Sequence, residues 1–171
     1  MKYLHVVIAM LVLSFGANAQ DVWLHPNAGQ WDDRIEYKVE LDLGEMLIEK
    51  DKFTYHLTDL KLAHSHDDPG HSHADHADDP IRFHVIQTTF LNSDWQGQST
   101  REIQSGHYRN YILGNNPSRW QSNLYSYQRV TMNDYYPGID MILDGANEQL
   151  KYSFRVQPGV DASVIEMSYV G

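Results

Sequence analysis

RIEYKVELDL, residues 34–43, places Ile35, Tyr37, Val39, Leu41 and Leu43 at every second position, with a charged residue between each pair. A period of two puts all five on one face of a strand and leaves the other face wet. Gly44-Glu45 then predicts a tight turn, and residues 46–49 an antiparallel return. Glu49-Lys50-Asp51-Lys52 predicts a second turn, after which Phe53, Tyr55 and Leu57 alternate again. The segment is a β-meander by pattern.

The same period recurs downstream. Ile81, Phe83 and Val85 alternate, and Ile86, Thr88 and Phe90 continue on the other face, so a bulge near Val85-Ile86 is expected. Residues 125–132 are rich in aromatic and β-branched side chains, with Tyr125 and Tyr127 on one face. Pro137-Gly138 and Pro158-Gly159 suit type II turns, since proline presets φ and glycine accepts positive φ. Between and after them Ile139, Met141 and Leu143, then Leu150, Tyr152, Phe154 and Val156, then Ile165, Met167 and Tyr169 alternate. No segment carries a helical period. Short strands separated by turn residues predict an all-β fold, an antiparallel β-sandwich with long surface loops. Residues 92–123, rich in Ser, Asn, Gln and Gly, are expected to form one such surface excursion.

The N-terminus predicts export. Lys2, an apolar run from Val6 to Phe15 and the small residues of Ala17-Asn18-Ala19 form a signal peptide over residues 1–19. The mature domain is then 20–171, secreted or on the cell surface. The run is shorter than the ~20 apolar residues needed to span a bilayer, and no later stretch is longer, so no membrane span is expected. The chain has no Cys, which excludes disulfides and lipid attachment. Its formal charge of -10 repels phosphate backbones and argues against nucleic acid as a partner.

Residues 63–80, AHSHDDPGHSHADHADDP, hold five His and five Asp with no Lys or Arg. Such a segment cannot bury a core and is expected to be a disordered loop. His64, His66, His71, His73 and His76 are candidate ligands for weak Zn or Ni binding, lost below about pH 6 as the imidazoles protonate. No other cofactor is expected.

Four stretches together carry a resemblance. They are Asn27-Ala28-Gly29-Gln30, residues 111–120 (YILGNNPSRW), Tyr136-Pro137-Gly138-Ile139-Asp140 and residues 150–171 (LKYSFRVQPGVDASVIEMSYVG). In this order the chain resembles the uncharacterised β-rich domain near the N-terminus of large exported bacterial proteins. Those proteins carry SBBP (β-propeller-like) repeats, PKD modules or a gliding-motility-associated C-terminal domain. The resemblance implies an exported module of a multidomain surface protein and brings no catalytic residues. The family continues where this chain stops, which implies truncation at the C-terminus. Residues 164–170 are accordingly expected to be an unpaired strand that promotes self-association.

The turn residues themselves suit structural duty. Asn115-Asn116-Pro117 predicts an Asx turn that sets Trp120 over an edge of the core, and Asp140 and Asp161 stand where they can accept from free backbone N–H groups. A hydrolase would need convergent acids, and Asp134, Asp140, Asp144 and Glu148 lie close in sequence near Tyr135, Tyr136 and Trp120. No nucleophile elbow, zincin helix or phosphate loop accompanies them. His25, His56, His84 and His107 are scattered singly. The leading expectation is a non-enzymatic module with a structural, adhesion or presentation role. Its partners would be other domains of the same larger protein, or surface glycans or proteins. A carbohydrate-active or carbohydrate-binding domain, and a metal-capturing surface protein, are the alternatives.

Overall fold

The computed structural model describes residues 21–58 and 83–171. The leader at 1–19 and the segment at 63–80, with its five histidines, lie outside the described residues, as does Ile81.

The described residues form ten strands and no α-helix. They are β1 (Leu24–Pro26), β2 (Ile35–Leu41), β3 (Gly44–Glu49), β4 (Lys52–Thr58), β5 (Phe83–Leu91), β6 (Ser99–Tyr111), β7 (Gln121–Tyr136), β8 (Ile139–Asp144), β9 (Lys151–Val156) and β10 (Glu166–Val170). All pair antiparallel in one sheet of order β10-β5-β4-β3-β2-β1-β7-β8-β9, with β6 on β7 off this path. The short strand β1 joins two arms, pairing with β2 along its length and with β7 at Leu24↔Tyr127.

The sheet curls until its arms meet. Tyr37, Val39, Met46, Ile48, Phe53 and Phe90 from one arm are buried with Val130, Met132, Ile139, Met141 and Leu143 from the other. Rings cross the gap edge to face: Phe53 and Tyr152 lie 5.8 Å apart, Phe90 and Tyr135 5.5 Å, and Phe90 and Phe154 6.1 Å. Edge-to-face pairs of this kind add to simple area burial. Tyr152 and Phe154 share one face of β9, as their spacing requires.

Four local expectations need correction. Residues 166–170 are not unpaired: β10 pairs with β5 from Glu166↔Leu91 to Val170↔Gln87, and only its other edge is free among the described residues. Gly44-Glu45 is not the first turn; Asp42-Leu43 is, and Gly44 already pairs within β3. A Cβ at Gly44 would sit 2.0 Å from the His56 carbonyl oxygen, so the glycine permits close strand approach rather than making the bend. No bulge divides Val85 from Ile86, because β4 and β5 stay in register from Lys52↔Thr89 to Thr58↔Phe83. Phe83 and Val85 simply remain exposed on the outer face. Residues 92–123 are no mere excursion: β6 and the first part of β7 build a long hairpin. Its faces are mostly wet, so no apolar alternation announces it.

The Pro158-Gly159 turn behaves as read. Gly159 has φ +87°, and the Val160 N–H donates to the Gln157 carbonyl at 3.1 Å, closing the Pro158-Gly159 turn. A true bulge falls at Asp134, with φ +49° and a register shift between Met132 and Tyr136. It breaks the alternation so that adjacent Tyr135 and Tyr136 are both buried.

Candidate functional site

The acids proposed for hydrolysis do not converge. Asp140 and Asp144 lie four residues apart on β8, which at strand rise separates them by about 13 Å. Glycosidase carboxyl pairs lie roughly 5–9.5 Å apart. Each is also engaged. Asp140 accepts from the Asp134 N–H at 2.8 Å and from Arg155 Nε and Nη2 at 3.1 and 2.8 Å. Asp144 accepts from Arg129 Nε and Nη2 at 3.0 and 2.6 Å, and from the Ala146 N–H at 3.0 Å. Partial burial pulls both pKa values upward, but these donors outweigh it and hold both carboxyls below their ordinary value. A general acid needs the opposite shift. Asp134 contributes its backbone N–H, and Glu148 is exposed in the loop after β8.

The single histidines are placed without convergence. His25 on β1 is 4 % exposed and its Nδ1 shares a hydrogen bond with Ser126 Oγ. Burial, helped by the Arg109 charge and opposed by Glu40, lowers its pKa to about 4. His56 lies 3.4 Å from Glu45 Oε1, and His84 and His107 are exposed. Among the described residues, no three His, Asp or Glu side chains gather as a metal site. His64, His66, His71, His73 and His76 lie outside those residues.

The recognisable motifs prove to be staples. Asn27 Oδ1 accepts from the Gly29 and Trp31 N–H groups, and its Nδ2 donates to the Asp32 and Ile35 carbonyls at 2.9 and 2.8 Å. Buried Gln30 donates to the Pro26 carbonyl at 2.8 Å and accepts from the Ala28 N–H at 2.7 Å. Asn116 accepts from the Ser118 N–H, the expected Asx turn, and Asp161 does the same for Ser163. Trp120 departs from expectation. It is 41 % exposed and its Nε1 donates to the Gly114 carbonyl, so it closes its own loop instead of covering the core.

Asn27 yields a graded expectation. At about 1 kcal/mol net per hydrogen bond, with overlap between neighbouring bonds, Asn27→Ala should cost roughly 2 kcal/mol in urea unfolding. Asn27→Asp, which keeps both acceptor bonds but turns a carboxylate oxygen onto the Asp32 and Ile35 carbonyls, should cost at least as much. A loss well below that of Asn27→Ala would show that the two donor bonds carry little of the stability.

Sequence reasoning also missed a concavity. A cleft of about 830 Å³ opens at one end of the curl, between β1–β4 and the 148–152 segment. Phe53, Tyr55 and Tyr152 wall it, with Trp23 and Leu57 alongside. Asp21, Asp42 and Glu148 line it as well, together with Glu40. Arg109 forks onto both oxygens of Glu40, tying β6 to β2. These residues are scattered over the chain, and only the curl assembles them.

A family model described as a domain of unknown function (DUF7948) matches residues 24–171. No curated protein matches the chain, and no solved structure does. Among the described residues no helix is long and apolar enough to cross a membrane.

Proposed function

The chain belongs to the DUF7948 family, a domain of unknown function, and from that premise we propose a non-enzymatic module of a larger exported protein, with a structural, adhesion or presentation role. The carrying observation is the engagement of Asp140 and Asp144: each is held ionised by an arginine and a backbone N–H. Such carboxylates brace the fold and are poorly set for proton transfer.

Two further features support an interaction role. Among the described residues, β6, β9 and β10 each pair on one side only, leaving three free edges. Tyr169 and Val170 on β10 are 62 % and 69 % exposed. Free edges with apolar side chains favour contact with another chain or domain. The curl also lays two arms face to face over one aromatic core, which supports a sandwich-like reading. The sequence resemblance supports a setting at the head of exported proteins with SBBP repeats, PKD modules or a gliding-motility-associated domain. A signal peptide at 1–19 accords with that setting.

A hydrolysis screen of the purified protein against a panel of polysaccharides tests the reading. No turnover above the blank is expected, and Asp140→Asn should change nothing in the assay. Turnover that disappears in Asp140→Asn would establish a carbohydrate-active enzyme instead.

A further inference from the structure

We infer that the cleft at the end of the curl binds an extended, positively charged peptide segment, seating its lysine or arginine side chains against an aromatic wall. The inference goes beyond the module reading, because a scaffold need have no ligand cleft. It starts from size: about 830 Å³ lies in the range of small-ligand sites and leaves room for more than one side chain.

Charge then selects the occupant. Four carboxylates line the cleft against a single guanidinium, and that guanidinium is already forked onto Glu40. Asp21, Asp42 and Glu148 have no ion pair or side-chain hydrogen bond to another described residue. His25 borders the same space but stays neutral at pH 7, so it adds no opposing charge. An anionic or neutral sugar would gain little from such a lining, whereas an ammonium or guanidinium meets complementary charge.

The wall supplies the rest. Tyr55 is half-buried and Tyr152 is 39 % exposed, so both line the cleft with accessible ring surface for a cation and its alkyl stem. Trp23 and Leu57 extend this apolar surface. Long cationic side chains carry both chemistries at once: a stem for the rings and a charged head for Asp42 and Glu148.

Calorimetric titration of the protein with a capped peptide of alternating alanine and arginine tests the inference. Peptides with glutamine or glutamate in place of arginine serve as controls. The arginine peptide should bind and the others should not. Removing two cleft-lining charges with Asp42→Asn and Glu148→Gln together should weaken binding about tenfold, the combined worth of two exposed pairs. The exposed pair Asp33→Asn and Glu102→Gln removes the same charge away from the cleft and should change affinity less than about twofold, since distant charges are screened. No binding of the arginine peptide, equal binding of the glutamine peptide, or equal weakening by the two double variants would each overturn the assignment. The last outcome would mean attraction to the acidic surface as a whole. None of these outcomes bears on hydrolysis, so the module reading stands or falls separately.

Discussion

Phe90→Ala should remove about 3–5 kcal/mol of stability in urea unfolding, the usual cost of deleting a fully buried phenyl ring. Phe90 is 1 % exposed and stands where the two arms meet. Its ring lies 4.8 Å from Phe53 on its own arm, and 5.5, 5.9 and 6.1 Å from Tyr135, Tyr152 and Phe154 on the other. The loss therefore combines transfer of the ring, the cavity left behind and several edge-to-face contacts. Domains of this kind hold only about 5–15 kcal/mol in total, so one substitution removes a large share. Phe90→Leu keeps most of the volume and should cost much less. A loss under about 1 kcal/mol for Phe90→Ala would mean that the arms do not pack through this ring.

Acid should weaken the fold well before its carboxylates protonate. His25 titrates at about 4 when folded and at 6.5 when exposed. Its pKa is depressed, so between these values the unfolded chain binds the proton and the folded chain does not. The stabilising contribution is complete above pH 6.5 and is lost progressively as pH falls toward 4. The full shift would be worth somewhat over 3 kcal/mol, and the open cleft beside the ring reduces this to roughly 2–3 kcal/mol. Asp32, Glu40, Glu45, Asp140, Asp144 and Asp161 have lowered pKa values. Their contributions are present above their unfolded values and fade only as pH falls further, which separates them from the histidine. Urea midpoints measured from pH 7.5 to 4.5 should therefore slope downward in the native chain. In His25→Gln, which keeps a polar partner for Ser126, the slope should largely flatten. An unchanged slope would assign the acid sensitivity elsewhere.

Strand identity was legible where one face is buried over several alternating residues; the three-residue β1 is too short to show a period. Tyr37 and Val39, Met46 and Ile48, and Ile139, Met141 and Leu143 point inward at period two, as their spacing requires. The β6–β7 hairpin was not legible, because a strand wet on both faces carries no periodic signal. Tyr135 and Tyr136 are buried side by side only because Asp134 takes positive φ, and nothing in an alternating pattern foretells that bulge. Pro158-Gly159 and the Asn116 and Asp161 turns were readable because their chemistry is local. The partners of Asp140 and Asp144 were hidden for the opposite reason. Arg155 and Arg129 lie 15 residues away and meet them only across strand pairs. The cleft was invisible on the same ground, since Asp21, Asp42 and Glu148 come from three separate segments.

If Asp140 and Asp144 brace the fold, their ionisation must show it. Carbon-detected NMR titration of the two side-chain carboxyls in the native protein measures this directly. Both should titrate below the ordinary aspartate value of 3.8, held there by Arg155, Arg129 and the Asp134 and Ala146 N–H groups. A value raised toward about 6 for either one, the mark of a general acid, would contradict the structural assignment and return the site to catalysis.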